Sequence, residues 1–230
     1  RSIAEEMAKC GAKVVISSRK AEVCEQVASE LKAEGYEAIA IPCHVGKKED
    51  LQNLVDKTNE AWGDIDVLVC NAATNPVYGP TSELTDDAWD KIMDTNVKGT
   101  FWLTNMVLPQ MAKKGEGSVV LLSSIAGLRG NTVIGTYGVS KAAEAALARN
   151  LAVEWGPKGI RVNSIAPGIV RTDFAKALTE DPVRIKRAEE KTPRGLCMCA
   201  HLVLYARLFA GHVVRRRIHS AKGEATGMER

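Results

Sequence analysis

No stretch of 18 or more apolar residues occurs in this 230-residue chain, so no membrane-spanning helix is expected. Six cysteines are scattered (Cys10, Cys24, Cys43, Cys70, Cys197, Cys199), none of them in a Cys-x-x-Cys pair. The four histidines do not group with them, which predicts free thiols in a reducing compartment and no bound metal. The opening residues, Arg1-Ser2-Ile3-Ala4-Glu5-Glu6, predict an amphipathic helix in place of a charged and then apolar leader. A cytoplasmic location is expected, with a peroxisomal or other organellar address left open. What is present is a hydrophobic content of 45%, enough to bury one sizeable core.

Charge is unevenly spread. Up to Glu190 there are 23 Lys and Arg against 26 Asp and Glu, and beyond it 8 against 2. The net charge of +3 is therefore a property of the tail. Arg215-Arg216-Arg217 alone would suggest a nucleic-acid or membrane patch. Residues 194–230 read instead as an atypical basic tail, out of frame or degenerate, and neither nucleic acid nor membrane is expected as a partner.

Before the tail, strand and helix patterns alternate. Strands are expected at 13–17, 37–42, 65–70 and 160–165, with a fifth over the apolar run Val119-Val120-Leu121-Leu122. Helices are expected at 21–33, 48–62, 86–113 and 135–155. The first carries Cys24, Val27, Ala28 and Leu31 on one stripe, and the second buries Leu51, Leu54, Val55, Ala61 and Trp62. The alternation predicts an α/β fold with a doubly wound parallel sheet.

Chemistry concentrates in Ser124, at the end of an apolar strand, and in Tyr137 and Lys141, four apart on a helix. Residues four apart share a helix face one turn from each other. A free tyrosine titrates near pH 10, and an ammonium one turn away is expected to pull that value down. Tyr137 would then act as an acid/base while Ser124 holds a substrate carbonyl oxygen, as carbonyl/alcohol redox chemistry needs.

The chain resembles the classical short-chain dehydrogenase/reductase family over roughly residues 1–191. The resemblance is carried by Cys70-Asn71-Ala72-Ala73, Asn96 in Asp94-Thr95-Asn96-Val97, the Ser124/Tyr137/Lys141 set, Arg161-Val162-Asn163 and Pro167-Gly168-Ile169-Val170-Arg171-Thr172. It implies a Rossmann-type fold over residues 1–193 and a hydride-transferring oxidoreductase in which Tyr137 is the acid/base. Lys141 would tune Tyr137 and bind the nicotinamide ribose, Ser124 would orient the carbonyl, and Asn96 would anchor a water leading to Lys141. Asn71, Ala72 and Ala73 would lie near the adenine ribose, and Pro167, Gly168, Ile169 and Thr172 beside the nicotinamide carboxamide. The long helices at 86–113 and 135–155 would build a homotetramer.

Family members begin with a strand and a Thr-Gly-x-x-x-Gly-x-Gly turn, which this sequence does not contain, since Arg1 falls just after the last of those glycines. Without that strand and turn the chain is expected to fold badly and bind cofactor poorly. In NAD-preferring relatives an acidic residue ends the second strand. Here Ser18 and Arg19 occupy that place, so a 2′-phosphate is unopposed and NADPH/NADP+ is the expected cofactor, NADH less so. His44 and Val45 stand where many relatives have Asp-Val against adenine. Cys43-His44-Val45-Gly46 and the run from Asn71 to Pro76 look like the branch of NADPH-dependent carbonyl and retinal reductases. A 3-oxoacyl-carrier-protein reductase, and an inactive fragment or pseudoenzyme retaining only the oligomerisation surface, remain the alternatives. The expected substrate is an apolar ketone, aldehyde or alcohol, held by residues 126–136, 74–78 and the segment after Thr172.

Overall fold

The computed structural model describes residues 1–170 and 172–175, together with positions 182, 186 and 190. The tail at 194–230, with Cys197, Cys199 and the triple arginine, lies outside the described residues. The described residues fall into two compact units, 1–42 with 172–175, and 43–170.

In the first unit α1 (Ser2–Lys9) leads into β1 (Val14–Ile16), α2 (Ala21–Ala33) and β2 (Ala38–Ala40). β1 and β2 run parallel, with Val14 opposite Ala38 and Ile16 opposite Ala40. The stripe of α2 supplies the core: Val27, Ala28 and Leu31 pack with Ala8, Val14 and Ala38. Past the helix end and Glu34, the chain turns at Gly35 with φ of 88°, a conformation that strains any side chain.

The second unit contains α3 (Lys48–Trp62), β3 (Val67–Cys70), α4 (Asp86–Met93), α5 (Gly99–Lys114), β4 (Gly117–Leu122), α6 (Gly135–Trp155) and β5 (Ile160–Ile165). Its sheet has the order β3-β4-β5, all parallel, in register from Val67 opposite Ser118 to Leu122 opposite Ile165. β4 is central and buried on both faces, which is why its residues form an unbroken apolar run where an exposed strand would alternate. Val119 and Leu121 are fully buried against Leu51 and Val55 of α3, Val107, Leu108 and Met111 of α5, and Ala148 and Leu151 of α6. Burying each such aliphatic side chain is worth about 1.5–3 kcal/mol.

α2, α3, α6 and β5 occupy the spans their periodicity predicts. The expected strand at 65–70 begins two residues late. The Ile65 amide donates to the Gln110 side chain at 2.9 Å instead of entering the ladder, and Asp66 is paired with Lys114. The expected single helix over 86–113 is interrupted. Thr85 caps α4 by accepting from the Ala88 amide, and the chain then passes through one π-turn, Asp94–Lys98, before resuming as α5. Gly99 follows that turn because a Cβ there would run into the Val45 carbonyl. Among the described residues no helix is long and apolar enough to cross a membrane.

Candidate active site

The carboxyl ends of β3, β4 and β5 lie together, and the expected residues of the second unit gather there. β4 and β5 keep pairing past their ends: the Ser123 amide donates to the Ile165 carbonyl at 2.8 Å and the Ile125 amide to the Pro167 carbonyl at 3.0 Å. This carries Pro167 and Gly168 up beside Ser124. Gly168 is exposed, and the nearest side-chain atom to a Cβ built on it belongs to Ile125, at 3.8 Å. Asn71 and Ala72, just past β3, are exposed, and Ala73 is half-buried.

Ser124 is extended, and its hydroxyl accepts from the Ala126 amide at 3.1 Å, closing a single turn over Ile125–Gly127. That turn lies directly on α6, and two glycines make the approach possible. A Cβ on Gly127 would stand 2.7 Å from the Ala142 amide nitrogen, and one on Gly138 would stand 2.7 Å from the Ala126 carbonyl oxygen. Real Cβ atoms do not approach so closely. The contact brings the Ser124 hydroxyl into hydrogen bonding with the Tyr137 phenol.

Lys141 is buried, at 2% exposure, with its ammonium 5.6 Å from the centre of the Tyr137 ring. It donates to the Leu122 carbonyl at 2.6 Å and pairs with Glu144 at 2.5 Å. The Ser123 hydroxyl donates to the Lys141 carbonyl at 2.6 Å, tying β4 to α6 a second time. Buried charges survive when paired and hydrogen-bonded, and both conditions hold here.

The phenol differs from expectation. Burial pushes Tyr137 up to about 12; the Ser124 hydrogen bond works against that rise, while the Glu144 carboxylate and nearby Tyr78 add to it. The Lys141 ammonium near the ring is itself paired with Glu144. Glu144 itself is driven up to about 7 by burial, against the opposing pull of Lys141 and Thr100. Sequence reasoning missed Glu144. Its signal was an acidic residue three positions after a lysine, a spacing that puts both on one helix face.

Asn96 is fully buried in the π-turn. Its side chain accepts from the Thr74 amide at 2.7 Å, donates to the Thr74 carbonyl at 3.0 Å and donates to the Ser140 hydroxyl at 3.0 Å. In this structure it fastens the loop after β3 to α6. That loop also meets the one before α6, where Gly79 donates to the Val133 carbonyl at 2.9 Å. Tyr78, Ile125 and Leu128 are exposed and give the rim an apolar character.

His44 is occupied locally. Its Nδ1 accepts from the Gly46 amide at 3.1 Å, and its own amide donates to Asp50 at 2.9 Å. Val45 is half-buried, with its carbonyl against Gly99. In the first unit Ser18 and Arg19 are exposed just past β1. The Ser18 hydroxyl accepts from the Lys20 amide at 3.3 Å and lies 3.1 Å from the Cys24 sulfur. Thr172 is exposed and Ile169 half-buried. Among the described residues no group of His, Cys, Asp and Glu is placed to hold a metal ion.

A buried lysine beneath a phenol and a serine hydroxyl, at the carboxyl edge of a parallel sheet, defines a nicotinamide-dependent oxidoreductase of the Rossmann class. The sequence matches the short chain dehydrogenase family over residues 1–183, and the chain belongs to that family. Over 183 residues it is 44% identical to the Bos taurus protein named Dehydrogenase/reductase SDR family member 4, covering 80% of this chain and 66% of that one. The chain thus spans about two thirds of that relative's length. Its structure is similar to a gluconate 5-dehydrogenase from Burkholderia cenocepacia in complex with NADP and tartrate, with a TM-score of 0.83 and 25% identity over 93% of this chain and 81% of that one. It is also similar to an actinorhodin polyketide ketoreductase variant with NADPH, with a TM-score of 0.83 and 30% identity over 92% and 84% of the two chains.

Proposed function

We propose that the protein is an NADPH-dependent reductase of apolar ketones or aldehydes. The observation that carries this reading is the Tyr137 phenol, hydrogen-bonded by Ser124 above a buried Lys141. The protonated Tyr137 phenol, hydrogen-bonded by Ser124, is placed to donate a proton to a carbonyl oxygen, as reduction requires. Ser124 orients that oxygen and Tyr137 protonates it. Lys141 keeps one of its three donors for a ribose hydroxyl, since the Leu122 carbonyl and Glu144 take the other two.

The residues of each unit, taken by itself, fit part of a nicotinamide dinucleotide: in the second unit, exposed backbone past β3 and a buried ammonium on α6, and in the first, Arg19 with Ser18 suited to a 2′-phosphate. Bound NADPH supplies the hydride. Asn71, Ala72 and Ala73 would hold its adenine side, His44 and Val45 would flank the adenine, and Pro167, Gly168, Ile169 and Thr172 the nicotinamide. The apolar rim of Tyr78, Ile125 and Leu128 favours an uncharged substrate. A homotetramer built on α5 and α6 belongs to this reading; Phe101, Val139 and Val153 are apolar and exposed on those helices. So does a reducing compartment such as the cytoplasm, in which Cys10, Cys24, Cys43 and Cys70 stay free.

Fluorescence titration with NADPH, followed by turnover of a panel of aliphatic and aromatic ketones, tests the proposal. We expect NADPH binding by the wild type, turnover of uncharged ketones, and a loss of about 10²–10⁴-fold in kcat for Tyr137→Phe. NADPH binding with no turnover of any carbonyl, or full turnover by Tyr137→Phe, would overturn it.

A further inference from the structure

The loop after β3 runs alongside the start of α6. The Gly79 amide donates to the Val133 carbonyl at 2.9 Å, and Gly79 pairs with Ile134 in a parallel bridge. Two residues further along each segment come Thr81 and Thr136, and both line a small cleft with Asn75. The space in it open to a water molecule is about 10 Å³, room for one. Thr136 is 4% exposed, and its hydroxyl oxygen is buried with no hydrogen-bond partner among the described residues. It is the second residue of α6, a helix of 21 residues whose first N–H groups have no partner within the helix. Ile134, just before the helix, gives them no side-chain cap. From the opposite wall Thr81 brings its hydroxyl against Gly135, where a Cβ would collide with it.

We propose that this cleft binds one ordered water molecule, held by the Thr136 hydroxyl, which joins the first turn of α6 to the turn at Thr81. A hydroxyl buried without a partner is costly, and a water removes that cost when about two to four polar groups surround it. The Thr136 and Thr81 hydroxyls, the Asn75 side chain and the first N–H groups of α6 form such a set. Size rules out a larger ligand. A helix N-terminus also attracts anions, but charge opposes one here. Among the described residues no cationic side chain lines the cleft, and the Glu83 carboxylate stands 3.7 Å from a Cβ built on Gly79 in its wall. The water continues, with one molecule, the pairing that Gly79 begins with Val133. It thereby fixes the loop after β3 against the residue next to Tyr137.

The test joins a crystal structure of the wild type at about 1.5 Å resolution to thermal unfolding of Thr136→Val and Thr136→Ser. The structure should show a single water within about 3.2 Å of the Thr136 hydroxyl oxygen and of at least one further polar group. No water there, an anion in its place, or a protein group bonded to the hydroxyl overturns the proposal. Valine keeps the shape of threonine and removes the hydroxyl, so the sign of its effect is decisive. A stranded hydroxyl replaced by a methyl group would leave Tm unchanged or raise it, and either result overturns the proposal even with a water in view. A water-bonded hydroxyl predicts a Tm lower by about 2–4 °C for Thr136→Val, with the water gone from its structure. If Thr136→Val does not fold, Thr136→Ser decides: the water must stay in its structure, and its absence overturns the role of the hydroxyl. None of these readouts needs cofactor or turnover, so they stand apart from the reductase reading.

Discussion

Asn96 donates to the Ser140 hydroxyl across 3.0 Å, and the Ser140 hydroxyl donates in turn to the Tyr137 carbonyl at 2.8 Å. A buried amide in one helix is thus connected to the backbone of Tyr137 in another. The same amide holds both the N–H and the C=O of Thr74. Asn96→Ala would leave these buried groups unpaired, at a cost of about 1–3 kcal/mol for each one stranded. Thermal unfolding should show a clear drop in Tm, and kcat should fall with it because α6 loses a support beside Tyr137. An unchanged Tm would refute this account of the residue.

Gly138→Ala tests the approach of the Ser124 turn to α6. Its new methyl group would meet the Ala126 carbonyl at 2.7 Å, and backbone cannot swing aside as a long side chain can. Overpacking of this kind costs about 1–3 kcal/mol. The loss of kcat should exceed what the loss of stability explains, because the displacement falls between Ser124 and Tyr137. Wild-type kcat in a destabilised variant would show that the turn can shift without parting the two side chains.

Arg19→Ala probes cofactor choice. An exposed guanidinium beside Ser18 offers a charge-assisted grip on a 2′-phosphate. Its loss should raise the KM for NADPH by about 10–100-fold, the equivalent of about 1.5–3 kcal/mol, with little change for NADH. Equal effects on the two cofactors would sink the assignment.

Glu144 also makes a prediction about stability. Its folded value of about 7 lies above the ordinary 4.5, so the folded protein holds this proton more tightly than the unfolded chain. The stability it contributes is fully present below pH 4.5 and is lost as pH rises through 7. Relative to Glu144→Gln, which cannot titrate, wild type should lose about 3 kcal/mol between these limits. Denaturant unfolding of both proteins at pH 4.5, 6 and 8 checks the sign. A difference that stays constant, or that grows in favour of wild type as pH rises, would contradict it.

Much of this was legible in the sequence because periodicity and sterics act locally. α2, α3 and α6 carry apolar residues at helical spacing, and β4 is an unbroken apolar run, so their spans follow directly. Ser124, Tyr137 and Lys141 stand out because strand end and helix face can be read from spacing alone. What escaped depends on long-range packing. The first expected strand contracts to Val14–Ile16, and Ile65 leaves its strand for the Gln110 side chain, 45 positions away. The burial of Tyr137 and the ion pair of its lysine neighbour escaped for the same reason. Spacing reveals the lysine one turn away, but not the depth of burial or the carboxylate on its far side.

The π-turn at Asp94–Lys98 makes chain length, more than composition, the sensitive quantity in this stretch. A π-turn holds one residue more than the α-helix around it needs. Deleting a single residue there would let the helix close into regular turns and rotate everything beyond it by about 100°. Leu103, Val107 and Met111 would leave the core together, and Asn96 would lose sight of Thr74 and Ser140 in the same movement. Substitutions at the exposed positions Asp94 and Lys98 touch an ion pair and the contact of Lys98 with the Trp102 ring. Homologues with working sites should therefore vary freely in sequence at these two positions while keeping the count of residues between Thr85 and Gly99 fixed.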